Sequence, residues 1–166
     1  LTRTIDEGVY TVDFPVAESE GMLQAEWERE KRAVAASILP LFFPRSIAVI
    51  GASSDPASIG GRLFRNILNG GFTGPLYPVN PKAKVIGSVR AYPTIGEVPD
   101  EVDLAYIVVP QAYVIDVARQ CAASGVRGIV VISAGFSETG EGGAKLEAEL
   151  LGIVRDSGMR MVGPNC

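Results

Sequence analysis

Pro44 to Arg62, PRSIAVIGASSDPASIGGR, holds the residues of this chain best suited to chemistry. Small side chains follow Gly51: Ala52, Ser53, Ser54, Asp55, Pro56, Ala57 and Ser58, and then Ile59, Gly60 and Gly61. Glycines and serines in this order leave backbone N–H groups and hydroxyls open to an anion. A helix starting near Ser58 or Ile59 adds the partial positive charge of its N-terminus, so the stretch reads as a phosphate-binding corner. Its candidate contacts are Gly51, Ser53, Ser54, Ser58, Ile59 and Gly60. The chain has no histidine, which excludes a Ser-His-Asp or Cys-His site, a histidine metal ligand and a phosphohistidine within it. Cys121 falls in a helical pattern and Cys166 is the last residue, so neither reads as a nucleophile. No catalytic residue and no metal site are assigned.

The other candidate contacts lie at strand exits, where open α/β sheets bind ligands. A dinucleotide fold would show G-x-G-x-x-G at the first turn and an acidic residue roughly 20 positions on to hold a ribose diol. Here Gly51 is followed by Ala52-Ser53-Ser54, and the second exit reads Val79-Asn80-Pro81-Lys82-Ala83-Lys84. Lys82 and Lys84 attract a phosphate where an acidic hook would repel it. A nucleotide with an extra ribose phosphate therefore fits, either NADP or coenzyme A with its 3′-phosphate. Val109-Pro110, Ile132-Ser133-Ala134-Gly135 and Pro164-Asn165 end later strands and could line an adenine slot and a pantetheine channel.

The elements that position these turns follow from pattern. Ile47–Ile50 is a short apolar run, the form of a strand buried on both faces. From Pro44 onward strands and helices alternate, which implies βαβ units: an α/β, Rossmann-like, doubly wound and mainly parallel sheet with helices on both faces. The first helix carries Leu63, Phe64, Ile67 and Leu68 inward and closes at Gly70-Gly71. Strands follow at Pro75–Asn80, Asp103–Pro110, Gly128–Ser133 and Met159–Val162. A short strand at Val89–Tyr92 and a turn of helix near Ile95 break the proline-spaced segment from Val85 to Pro99. Helices span Tyr113–Ser124, with Ile115, Val117, Ala118 and Cys121 inward, and Gly143–Ser157, with Leu146, Leu150, Leu151 and Val154 inward. Residues 1–43 differ in texture: a lone strand over Gly8–Phe14, then a charged helix over Ser19–Leu39, with Pro40 and Pro44 bracketing a connector. The reading is an N-terminal arm and linker helix over 1–43 and a nucleotide-binding domain over 44–166.

At 166 residues and net charge −4, with no basic block, the chain offers no nucleic-acid surface. No run approaches the ~20 apolar residues of a membrane helix, and LTRTIDEGVY is no secretory signal. Two cysteines far apart make no disulfide framework, so a reducing, cytoplasmic setting is expected. The chain starts on Leu1 and stops directly after a strand, as a piece of something longer would.

Taken together, the turns resemble a known family. PRSIAVIGAS at 44–53, SIGG at 58–61, YPVNPK at 77–82, DLAYIVVP at 103–110, VVISAGFSE at 130–138 and GMRMVGPNC at 158–166 are similar to the CoA-binding domain of NDP-forming acyl-CoA synthetases, relatives of the succinyl-CoA synthetase α-subunit. The resemblance implies CoA or acyl-CoA in the crevice, with the serines after Gly51 and the helix start at the phosphates. It puts the VNPK turn beside the nucleotide, Val109 and Pro110 near the adenine, and the ISAG turn near the thiol. It also implies partners: a domain with a phosphorylated histidine and an ATP-grasp unit, without which this stretch does not turn over. The implied reaction is acid, CoA and NTP giving acyl-CoA, NDP and phosphate.

EGVYTVDFP followed by a charged helix looks like the junction in proteins that fuse a GNAT-type acetyltransferase to a synthetase-like region. That resemblance implies a second function class, a ligand-sensing domain that regulates a fused lysine acetyltransferase. Residues 1–16 lack the acetyl-CoA pyrophosphate loop, so no acetyltransferase site is assigned.

Overall fold

The computed structural model describes residues 2–6, 9–13 and 20–166. It divides into two units, Leu1–Ala36 and Ser37–Cys166. In the first, strand β1 (Thr2–Asp6) pairs antiparallel with β2 (Val9–Asp13), Thr2 opposite Asp13 and Asp6 opposite Val9. The strand expected alone thus has a neighbour that its sequence did not announce. Gly8, Phe14 and Ser19, which end those expected elements, lie outside the described residues. Helix α1 (Glu20–Phe42) begins in the first unit and ends in the second. Its charged middle is exposed, with Arg32 bridging Glu28 at 3.2 Å and Lys31 lying 3.6 Å over the Trp27 ring. The helix runs beyond Leu39 because Pro40 removes only one N–H donor, and the Phe43 N–H reaches the Leu39 carbonyl at 2.8 Å.

The second unit is built on Ile47–Ile50, strand β3, whose four residues are all buried. After it come α2 (Ile59–Asn69), β4 (Leu76–Val79), a two-residue hairpin of β5 (Val85–Ile86) and β6 (Val89–Arg90), and a 3₁₀ turn at Ile95–Glu97. Then follow β7 (Leu104–Ile107), α3 (Gln111–Ala123), β8 (Gly128–Val131), a second 3₁₀ turn at Ser137–Thr139, α4 (Glu141–Ser157) and β9 (Arg160–Val162). The sheet order is β4-β3-β7-β8-β9, and every pairing in it is parallel. The chain moves outward from β3 in one direction and then, beyond it, in the other. That reversal falls between β3 and β7, the topological switch point where such sheets open a crevice.

Side chains alternate across the sheet with the period of two that a strand imposes. Ala48, Ile50, Ala105, Ile107, Ile129 and Val131 face one way, into a core closed by Val114, Ala118 and Cys121 of α3 and Leu150 and Val154 of α4. Ile47, Val49 and Leu104 face the other way, against Phe64 of α2, with Leu41 at the rim. Two expected faces shift. Leu68 stays exposed on α2, because Phe64, half-buried Leu63 and half-buried Ile67 already cover the sheet there. On α3, Val114 takes the buried place, and Ile115 and Val117 are only partly covered.

At the N-terminal edge of the strands one carboxylate ties β3 to β7. Asp103 is buried and accepts from the Arg45 backbone N–H and Nε, both at 2.9 Å, and from a terminal nitrogen of the same guanidinium at 3.1 Å. Arg127 Nε stands 3.6 Å away. The Ser46 hydroxyl donates to the Glu101 carbonyl and accepts from the Asp103 N–H. The hydrogen-bonded Arg45 guanidinium holds the Asp103 carboxyl below the usual carboxylate range, against the opposing effect of burial. Asp103→Ala therefore removes the acceptor shared by the Arg45 main-chain N–H and a largely exposed guanidinium, and is expected to cost about 1–2 kcal/mol in urea unfolding. The native state binds this proton less readily than the unfolded chain, so the contribution is complete above about pH 4 and is lost as pH falls through the lower folded pKa. The acid limb of stability against pH should be flatter in Asp103→Ala than in the wild type.

Candidate functional site

The C-terminal ends of β3, β4, β7 and β8 meet at the switch point. Gly51 leaves β3 with φ +93, and a Cβ built there would lie 2.2 Å from the Val108 carbonyl oxygen. A Cβ on Gly60 would stand 2.0 Å from the Gly51 carbonyl, and one on Gly61 2.0 Å from that of Asp55. Two turns of chain and a helix start are packed backbone to backbone, which only glycine permits. Ser58 is the N-cap of α2: its oxygen accepts the Gly61 N–H at 3.0 Å and its hydroxyl donates to the Asp55 carbonyl at 2.8 Å. The Ser53 oxygen accepts the Asp55 N–H, and the Asp55 carboxylate accepts the Ala57 N–H. These serines shape the loop before they offer anything to a ligand.

Asn80 ties the second exit to the first. Its amide donates to the Ala52 carbonyl at 2.8 Å, and its oxygen accepts the Lys82 N–H at 2.8 Å. A third link joins the exits of β7 and β8: Ser133 Oγ donates to the Val109 carbonyl at 2.5 Å, and the Gln111 side chain donates to the Gly135 carbonyl. Glu138 closes that loop by accepting the Gly135 N–H, the main cause of its carboxyl being held below its ordinary range.

Between these turns lie two clefts that share Gly51 and Val109. The wider, about 660 Å³, runs from Asn80, Pro81 and Lys82 past Val79, Val109 and Pro110 to Thr94 and helix α3. The narrower, about 530 Å³, holds Ser58, Ile59 and Gly60 on one side and Ile132, Ser133, Ala134 and Asn165 on the other. Most of the expected contacts are thus gathered around one crevice. Ser53, Ser54, Lys84 and Gly135 line neither cleft; Ser53 and Gly135 instead brace the loops that do. Sequence reading missed Pro93, Thr94 and Ile95, and the α3 residues Tyr113, Asp116, Val117 and Gln120. The signal for the second group was available: i, i+3, i+4, i+7 spacing marks one helix face beside the buried one. The Cys121 thiol is buried, which pushes it up to about 12 and makes it a poor nucleophile, whereas Cys166 is exposed at the narrower cleft.

The sequence profile of a CoA binding domain matches residues 45–166. The chain is 48% identical over 130 residues to the alpha subunit of ADP-forming acetate–CoA ligase II of Pyrococcus furiosus, covering 78% of this chain and 28% of that one. It is 46% identical over 125 residues to the ADP-forming acetate–CoA ligase II of Archaeoglobus fulgidus, covering 75% and 19%. Among solved structures, the dinucleotide forming acetyl-coenzyme A synthetase 1 of Ca. Korarchaeum cryptofilum, in complex with phosphate and ADP, superposes with a TM-score of 0.74 at 44% identity, covering 77% of this chain and 27% of that one. The chain spans less than a third of the length of these relatives.

The glycine packing has a measurable consequence. Gly60→Ala forces a Cβ against a main-chain oxygen that cannot turn aside. It is expected to lower unfolding stability by about 1–3 kcal/mol. Gly152, inside α4 with nothing within 4 Å of its Cβ position, gives the opposite sign. Gly152→Ala should raise stability by about 0.5–1 kcal/mol in the same denaturation series.

Proposed function

Because the chain belongs to the family of CoA-binding domains, we propose that it holds CoA across the β3/β7 switch point and presents the thiol to the chemistry of an NDP-forming acyl-CoA synthetase. The observation that carries this reading is the pair of clefts meeting at Gly51, where close glycine packing leaves room for a ligand to lie against main chain. The cradle suits CoA: an anion-binding helix start in the middle, an apolar slot on one side and a narrower passage on the other. Ser58, Ile59 and Gly60, with Ser53 and Ser54 behind them, would hold the pyrophosphate at the N-terminus of α2. Val109 and Pro110 would flank the adenine, with Val79, Asn80 and Pro81 forming the facing turn. Lys82 would meet the ribose 3′-phosphate, and Lys84, outside the cleft, would add attraction at longer range. Ile132, Ser133, Ala134 and Asn165 would guide the pantetheine arm, with Gly135 bracing their loop from outside the cleft.

CoA supplies the thiol that receives the acyl group. The domain's contribution is to fix where that thiol sits, which turns an encounter into an oriented approach. The phosphoryl-carrying and nucleotide-grasping parts would belong to the remaining domains of the parent, in the reducing, cytoplasmic setting that its unpaired cysteines suit. Among the described residues no helix is long and apolar enough to cross a membrane. The NADP alternative gives way because the matching family binds CoA. The second reading, a sensor for a fused GNAT-type acetyltransferase, rests on residues 1–43, where a β-hairpin precedes the charged helix. The family match begins after that arm and does not bear on it. A chain that joins such an acetyltransferase to this domain would separate the readings, since Lys82→Ala would change its acetyl-transfer rate only if this domain regulates it.

Two measurements test the CoA reading. CoA at a hundredfold excess over Kd should raise the melting temperature, by the equivalent of about 2.7 kcal/mol of stability, and NAD⁺ should not; the reverse pattern overturns the assignment. In calorimetry, Lys82→Ala should weaken CoA by about tenfold, the worth of one charge-assisted phosphate contact. The same variant should leave dephospho-CoA nearly unchanged. Lys84→Ala should change either ligand by about twofold or less.

A further inference from the structure

We infer that Asp116 and Gln120 of α3 read the hydrogen-bonding edge of the CoA adenine and make this site select adenine over a deaminated base. This rests on the reading of the wider cleft as the nucleotide end of a CoA site. The face of α3 that meets the cleft is the stripe Tyr113, Asp116, Val117 and Gln120, one position round the helix from the buried Val114, Ala118 and Cys121. The rest of the wall is largely apolar and flat: Val79, Pro81, Ile95, Val109 and Pro110. Such a slot takes a purine by its faces but does not identify it, so identity must come from polar groups at its edge.

The candidate polar groups sort by what already engages them. Asn80 is spent on the Ala52 carbonyl and the Lys82 N–H. The Thr94 hydroxyl donates to Glu97 at 3.2 Å. Arg119, the neighbouring cation on α3, reaches across to Glu149 at 2.5 Å and does not neutralise Asp116. The Asp116 carboxylate accepts from Gln120 Nε2 at 2.8 Å through Oδ2 alone. Oδ1 remains an acceptor, and Gln120 Nε2 keeps a second N–H as a donor. An acceptor beside a donor matches adenine, whose N6 amine donates beside the N1 acceptor. Hypoxanthine reverses both: O6 accepts and N1–H donates, so it would set oxygen against the carboxylate. A site built to bond one pattern rejects the other because its polar groups are left unmatched.

The test is calorimetric titration of the full 166-residue chain with CoA, adenosine 3′,5′-bisphosphate and inosine 3′,5′-bisphosphate. The wild type should bind the adenine compound about tenfold more tightly than the inosine one. Asp116→Asn, which can donate to O6, and Asp116→Ala, which removes the repulsion, should each bring the two within about twofold of each other. Asp116 is exposed, so both variants should melt as the wild type does. Lys82→Ala should weaken both nucleotides together and leave their ratio intact, which separates base reading from phosphate reading. A wild type that binds CoA but does not distinguish the bases, or a preference unchanged in both Asp116 variants, overturns this inference and leaves CoA binding standing. A wild type that binds neither CoA nor the bisphosphates overturns both.

Discussion

Backbone atoms crowd the start of α2 so closely that no side chain can stand between them. Gly51 lies against the Val108 carbonyl, Gly60 against Gly51, and Gly61 against Asp55. This contact sets the distance between α2 and the sheet, and with it the rest of the crevice. It holds the helix N-terminus at the β3 exit, where the leading N–H groups, which have no partner within the helix, lie beside the switch point. It also explains why the glycine fingerprint of dinucleotide sites is unnecessary here. Turn, close approach and helix packing are all done by glycine, but with a longer loop between the first and the last.

Most polar side chains of the site are committed to main-chain atoms of its own turns. Ser58 and Ser53 brace the loop after β3, Asn80 joins that loop to the β4 exit, and Ser133 and Gln111 join the β7 and β8 exits. Four exits are thereby tied in two pairs, and the packing of Gly51 on the Val108 carbonyl brings the pairs together into one rim. Burial of β3, β7 and β8 on both faces, and the Asp103 anchor at the opposite edge, keep the strands that carry the rim in fixed register. A rim of this kind is formed before any ligand arrives, which reduces the ordering that binding must supply.

The βαβ order, the parallel sheet and the loop at Gly51 were legible because each depends on short-range pattern: apolar runs, glycine stops and a serine N-cap. The crevice was legible in outline because strand exits in such sheets converge. What the sequence hid depended on contacts at a distance. Nothing near Thr2–Asp6 marks it as the partner of Val9–Asp13. The inner face of α3 is decided by which residues the sheet leaves room for, so Val114 replaces Ile115 as a core residue. Thr94 and Asp116 become site residues only because the segment before the first 3₁₀ turn folds toward α3. Lys82 and Lys84 look alike in sequence, but the turn held by Asn80 brings only Lys82 to the cleft.

Main-chain packing at Gly51, Gly60 and Gly61 also bears on how such a site changes over generations. Point mutation rewrites side chains and leaves amides as they are, so a surface made of amides offers selection almost nothing to adjust. Any change there tends to break the fold rather than shift a preference. Variation is channelled outward, to the walls of the two clefts and to whatever meets the far end of the ligand. A module built this way keeps one unchanging handle while the side chains around it stay free to change.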